Sequence, residues 1–259
     1  NPCFLSSINL LRVAGLQAAG VPVDTEGMQA QALDAALAKG ARAVILTPRA
    51  HNPTGCNLSA RRARALSRVL AKHPHVVVIL DDHFALLSNA AYHSVLPAGT
   101  RRWALVRSLT KALGPDIRMA LVASDEATSR QLRLRLASGT NWVSHLLQDM
   151  AESTLGTPEA ARLMTRARKD YALRRRRLED ALGAQGIACL AGGDGLNLWV
   201  PLATDDQAVA LALARRGWLV RHGQAFGVHE AVPGLRITLS GIEPAQCRRI
   251  ASDLRHCLG

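Results

Sequence analysis

Five apolar residues in an unbroken run, Val76-Val77-Val78-Ile79-Leu80, constrain this chain more than any other feature. Most are β-branched, and the run lacks the period-two alternation of a half-solvated strand, so it suits a strand covered on both faces. Shorter runs of the same kind stand at Ala43 to Leu46, Trp103 to Val106 and Met119 to Val122, separated by longer amphipathic stretches. Between the first two strands, Ser59 reads as a helix N-cap, Leu66, Val69 and Leu70 recur at helical spacing, and His73-Pro74 closes the helix. That is a βαβ unit. The pattern predicts an α/β fold with a mostly parallel central sheet.

From about Glu126 to Leu182 the sequence turns helical, with interruptions at Gly139, Gly156 and Pro158. The last piece, Glu159 to Leu182, is long and basic, which suits a helix bridging two domains. Leu196 to Val200, Trp218 to Val220 and Leu235 to Leu239 then read as strands of a smaller α+β domain that ends in a helix over Pro244 to Leu258. A boundary near Gly156 divides the chain into residues 1–156 and 157–259.

The formal charge of +12 raises the question of an anionic partner. The excess is arginine spread over several segments, including Arg61, Arg62, Arg64 and Arg68 on one helix and Arg174 to Arg177 on another. A solvated helix face explains both clusters better than nucleic-acid contact, because neither has aromatic residues interleaved. Cys3, Cys56, Cys189, Cys247 and Cys257 are odd in number and contain no CxxC pair, which favours free thiols over disulfides or a zinc site. No apolar run has the length of a membrane span, and no signal peptide opens the chain, so a cytoplasmic location is expected.

The stretch with most chemistry is Ser108-Leu109-Thr110-Lys111-Ala112-Leu113-Gly114-Pro115-Asp116-Ile117-Arg118, directly after the strand Trp103 to Val106. Ligands of open α/β sheets sit beyond the carboxyl ends of strands, where this loop lies. A lysine amine forms a Schiff base with an aldehyde, hydroxyls bond phosphate, and arginine grips phosphate with a planar fork. Asp81 follows a strand, where a carboxylate can pair with a protonated pyridine nitrogen. Asn52, in His51-Asn52-Pro53-Thr54-Gly55, has an amide able to donate to a phenolate oxygen.

In order, Asn-Pro-Thr-Gly, an Asp pair after an apolar strand, Ser-x-Thr-Lys, and Arg seven residues beyond the lysine resemble class I/II aminotransferases of the pyridoxal 5'-phosphate (PLP) fold type I. Asn52 and Asp81 are 29 residues apart, Asp81 and Lys111 are 30 apart, and Arg236 follows in Gly234-Leu235-Arg236-Ile237. The resemblance covers nearly the whole chain. It implies that residues 1–156 are the PLP-binding large domain, lacking its beginning, and residues 157–259 the small domain. Lys111 would be the Schiff-base lysine and proton shuttle, Asp81 would bond the pyridine nitrogen, and Asn52 the phenolate oxygen. Ser108 and Arg118 would hold the phosphate, with Thr110 as a further hydroxyl, and Arg236 would take a substrate α-carboxylate. Many family members have a tyrosine two or three residues after the aspartate; this chain has His83 and Phe84 there, and His83 could donate to the phenolate oxygen in its place. The family also implies a homodimer, and a segment ahead of Asn1 that brings backbone N–H groups to the phosphate and an aromatic ring to the cofactor.

Asp81-Asp82-His83, with Trp103-Ala104-Leu105-Val106-Arg107-Ser108, is most similar to the effector domain of MocR-type regulators of the GntR family, in the vitamin B6 salvage subgroup. Such regulators carry a winged helix-turn-helix ahead of an aminotransferase-like domain; DNA contact would come from that module, which is not within these residues. Three readings stay open: a domain that senses PLP, another B6 vitamer or an amino compound; a working aminotransferase; and a degenerate domain that only dimerises. Individual residues have plainer readings as well. Asn52 can cap its own turn, Asp81 or Asp82 can cap a helix, His83 can serve as a capping or core histidine, and Arg236 can belong to a structural ion pair.

Overall fold

A computed structural model of the chain describes residues 1–139 and 142–259. Helix α1 (Leu5–Val13) leads into a short antiparallel hairpin, β1 (Val23–Asp24) and β2 (Gly27–Met28), and then α2 (Ala30–Ala38). The central sheet follows as β3 (Ala43–Leu46), α3 (Ala60–Ala71), β4 (Val77–Asp81), β5 (Trp103–Ser108), the one-turn helix α4 (Thr110–Leu113) and β6 (Ala120–Ser124). Its strands lie in the order β3-β4-β5-β6. The first two pairings are parallel and the last is antiparallel, so the expected mostly parallel sheet has an antiparallel edge.

Ser59 caps α3 as its sequence implied, accepting from the Arg62 amide at 3.0 Å. The apolar stripe Ala63, Leu66, Val69 and Leu70 then packs with α2 residues Leu33 and Leu37 onto Val44, Leu46, Val78 and Leu80. Strand β4 departs from the expected double coverage: Val78 and Leu80 are fully buried, whereas Val77, Ile79 and Asp81 on the opposite face are half-buried. The half-open face carries the candidate site. Edge strand β6 begins at Ala120, not Met119, and is exposed along Ala120 to Ala123.

The helical stretch resolves into α5 (Glu126–Ala137), α6 (His145–Leu155) and α7 (Pro158–Ala184), with residues 140 and 141 outside the described set. Asp125 and Thr157 are the N-caps of α5 and α7, and Pro158 occupies the first turn of α7. Met164, Ala167 and Tyr171 of α7 pack beside Ala50, Phe84 and Leu87, while Leu178 and Leu182 enter a second core. One helix therefore contacts both of these clusters. The second core is covered by the antiparallel sheet β7 (Asn197–Pro201), β9 (Gly234–Thr238) and β8 (Arg221–His222), in the order β7-β9-β8, with α8 (Asp206–Arg215) and α9 (Pro244–Leu258).

Three expectations change. Trp218 to Val220 is not a strand: the Trp218 indole donates to Asp253 at 2.7 Å, Arg249 stacks 4.5 Å from its ring centroid, and pairing begins only at Arg221. Neither arginine cluster is merely a solvated face. Arg62 reaches Asp24 at 2.7 Å and the carbonyls of Gly27 and Met28, tying α3 to the hairpin. Arg175, 3% exposed, turns inward and donates to the carbonyls of Asp194 and Asn197.

Candidate functional site

Three adjacent parallel strands deliver the predicted residues to one edge of the sheet. Asp81 ends β4 and lies level with Val106 of β5; Ser108 ends β5 and shares that face; Lys111 follows within α4. Asn52 stands in the turn beyond β3. Lys111 is thus on a helical turn, not in an open loop, and its exposed ammonium is close enough to act electrostatically on both Asp81 and His83.

Asp81 and Asp82 point to opposite faces and take different jobs, and neither caps a helix. Asp82 is fully buried and accepts from Arg49 Nε and Nη2 at 2.9 and 2.6 Å and from Arg107 Nε at 3.0 Å. The guanidinium groups of Arg49 and Arg107 both lie over the Tyr92 ring, 5.6 and 5.4 Å from its centroid. Asp81 accepts no hydrogen bond among the described residues, and His83 Nδ1 is 4.0 Å away. Burial pushes its carboxyl above the usual range, with His83 and Lys111 pulling in the other direction. A half-buried carboxylate with this balance calls for a cationic donor.

The phosphate candidates separate by their hydrogen bonds. Ser108 Oγ accepts from the Thr110 amide at 3.3 Å and keeps its own hydrogen for a ligand. Thr110 Oγ1 donates at 2.6 Å to the Ile117 carbonyl, so it orders the loop that carries Arg118 and has no hydrogen left for a phosphate oxygen. Arg118 is exposed, and no ion pair engages it among the described residues. His83 is half-buried beside Asp81, and burial lowers the pKa of its imidazole. Phe84, where a tyrosine hydroxyl was the alternative, is 1% exposed and packs on Tyr171.

Arg236 comes from the other sheet and meets this edge: its Nη1 donates to Asn52 Oδ1 at 3.4 Å, and its guanidinium lies 5.2 Å over the Phe226 ring. A structural ion pair is ruled out among the described residues, because no acidic side chain contributes to its surroundings and its Nε is buried without a partner. Asn52 does not cap its turn; the Asn57 side chain does, accepting from the Ala50 amide at 2.8 Å.

Two contributions escaped sequence reasoning. Gly55 (φ +73°) packs so closely on the second sheet that a Cβ there would meet Arg175 Nη2 at 2.5 Å, and Asp194 accepts from Ser88 Oγ and the Asn89 amide, each at 2.7 Å. The Gly192-Gly193-Asp194-Gly195 run was the available signal. His51 is buried, with Nδ1 2.8 Å from Thr54 Oγ1, and burial holds it neutral with a pKa pushed down to about 3. The unfolded chain binds a proton below about pH 6.5 that the folded chain refuses, so stability is present above that value and lost as pH falls toward 3, by at most about 1.4 kcal/mol per pH unit. Denaturant midpoints measured from pH 7 to 5 should show a downward slope that flattens in His51→Gln; parallel curves would reject the assignment.

Comparison with known proteins supplies the context. The chain is 56% identical over 258 residues to the vitamin B6 salvage pathway transcriptional repressor PtsJ of Salmonella typhimurium, covering 100% of this chain and 60% of that protein. It is 28% identical over 144 residues to the HTH-type transcriptional regulator YjiR of Escherichia coli, covering 53% of this chain and 30% of that one. The chain thus spans about three fifths or less of these relatives. Kynurenine aminotransferase of Pyrococcus horikoshii superposes with a TM-score of 0.90 at 20% identity, over 99% of this chain and 67% of that one. The α-aminoadipate aminotransferase LysN of Thermus thermophilus, solved with N-(5'-phosphopyridoxyl)-L-leucine, gives 0.87 at 20% identity, over 99% and 69%.

Pyridoxal phosphate is the cofactor these relationships imply, and the residues present fit it: an amine, an under-partnered carboxylate, a free hydroxyl and a free guanidinium stand along one edge. The fold is that of the PLP fold type I aminotransferases. The model of aminotransferase class I and II matches residues 1–254, and the chain belongs to that family.

Proposed function

We propose that this chain is the ligand-sensing part of a MocR-type transcription regulator of vitamin B6 salvage, with PLP held covalently by Lys111. The observation that carries the reading is a match over the whole of this chain, at more than half identity, to part of a B6 salvage repressor, joined to a sheet edge that presents Lys111 and Asp81 together. PLP supplies an aldehyde carbon for the lysine and an electron-withdrawing ring. Asp81 would keep the ring nitrogen protonated, Asn52 and His83 would donate toward the phenolate oxygen, and Ser108 and Arg118 would hold the phosphate. Thr110 sets the loop between them. Arg236 would orient the carboxylate of an amino compound, and Lys111 would accept or return the proton at its Cα.

The domain division near Gly156, a reducing cytoplasmic setting and homodimerisation belong to the same reading. All five cysteines are free, no helix among the described residues is long and apolar enough to cross a membrane, and Leu121, Val122, Leu134, Leu136, Trp142 and Leu146 are exposed apolar side chains of the kind a second subunit would cover. DNA contact is assigned to a winged helix ahead of this domain.

The test is a gel-shift titration of the full protein on its own promoter DNA with PLP added and removed. A change of at least tenfold in the DNA concentration at half-shift is expected, and no change would reject the sensing role. A working aminotransferase is the second reading, favoured by Arg236, whose buried Nε has no partner among the described residues. It requires the PLP absorbance to convert to the pyridoxamine form on addition of amino donors; silence across a broad donor panel counts against it.

A further inference from the structure

Arg236 has an unexpected neighbour. In the β8–β9 ladder Arg221 lies directly opposite Arg236, and in the β7–β9 ladder Trp199 lies opposite it on the other side. Residues facing each other across an antiparallel pair share one face, and like charges in that position destabilise the sheet. The register sets two cations on one face: burial, and then the charge of Arg221, lower the Arg236 pKa, and no acidic side chain among the described residues offsets them. The surroundings deepen the imbalance. Trp199 and Phe226 are buried and apolar, Asn52 offers only a neutral amide oxygen, and Arg236 Nε is buried with no partner. The buried Asp206 carboxylate nearby is taken by the amides of Gly223 and Gly234, so among the described residues no ion pair neutralises either arginine, and this face is arranged for an external counter-charge.

From this we infer that Arg221 and Arg236 form a single clamp for a dianion, so that the compound sensed or processed at this site carries a second acidic group, a carboxylate or a phosphate, besides the one held by Arg236. A monoanion would neutralise one guanidinium and leave the other facing it; a dianion neutralises both. Arg236, half-buried and stacked on Phe226, fixes the first acidic group, while the exposed Arg221, paired opposite it, takes the second. The inference rests on the proposed role of Arg236 and adds the ligand's chemical class to it.

The experiment is calorimetric binding to the full PLP-loaded protein, with L-glutamate, its neutral near-isostere L-glutamine, and O-phospho-L-serine as probes. Glutamate or phosphoserine should bind at least tenfold more tightly than glutamine, and the two dianions tell a carboxylate clamp from a phosphate clamp. In Arg221→Gln that preference should fall to within about twofold; in Arg236→Gln all three should be lost. A dianion preference that survives in Arg221→Gln, or wild-type protein that does not discriminate, overturns the clamp and leaves the sensing reading standing. Failure of all three probes to bind wild-type protein overturns the clamp together with the amino-compound reading of Arg236.

Discussion

Replacing Lys111 with alanine is expected to remove the imine band of PLP-loaded protein completely while leaving the unfolding midpoint unchanged within experimental scatter. The two halves of that expectation have separate physical causes. The absorbance comes from an imine that only a primary amine at the right place can form, and α4 holds Lys111 just past the end of β5, where its charge reaches Asp81 and His83. The fold, in contrast, asks nothing of the ammonium: the side chain is exposed, and alanine is a good helix former at an exposed helical position. Borohydride reduction of the wild-type holoprotein followed by peptide mapping should place the cofactor on Lys111. A variant that keeps the imine band, or a reduced cofactor found on another lysine, would end the assignment. Residual non-covalent binding through the proposed phosphate contacts of Ser108 and Arg118 is compatible with it, because such contacts would not depend on the imine.

The sheet and the order of the site along the chain were legible because both are written locally. A β-branched run such as Val76 to Leu80 has few alternatives to a strand, and residues just past such runs must fall at one sheet edge when the strands are parallel. The ladder then extended one residue further than apolarity indicated, since Asp81 pairs with Val106 through backbone groups that no side chain reports. What could not be read was anything set by partners distant in sequence. Asp82 looked equivalent to Asp81 until Arg49 and Arg107 closed on it from two other segments. Arg175 looked like one of four solvated arginines, although helical phase places it with Leu178 and Leu182, three and seven residues on. The run Trp218 to Val220 failed for the opposite reason: it is apolar in composition, yet Leu219 is 96% exposed and Trp218 is held by an indole hydrogen bond, not a ladder. Arg221 carried no signal at all before the strand register placed it against Arg236.

Asp82→Ala should be the most destabilising single change in the central sheet, costing about 3–5 kcal/mol. The carboxylate is fully buried and receives three hydrogen bonds from two arginines, so removing it strands two guanidinium groups beside the Tyr92 ring. Arg49 has no exit, since its side chain is 10% exposed and its Nη1 is tied to the Ala90 carbonyl at 3.2 Å; Arg107, 42% exposed, can turn toward water and recovers part of the loss. Most of the penalty is therefore an unpaired buried charge at Arg49, not a lost attraction, which makes a specific forecast for the double variant. Arg49→Leu with Asp82→Leu removes both charges and should be closer to wild type than Asp82→Ala alone, by at least about 1 kcal/mol in denaturant titrations. Asp82→Asn, which keeps the shape and loses the charge, should fall between them. The same loss reaches the candidate site, because Asp82 is one of the charges that raise the neighbouring Asp81 carboxyl. In Asp82→Asn, Asp81 should ionise more readily and keep its hold on a protonated ring nitrogen, so the visible band of the PLP-loaded protein should survive in a variant whose stability has dropped. A stability change below about 1 kcal/mol in Asp82→Ala would show that the Asp82–Arg49 pair does not hold this end of the sheet.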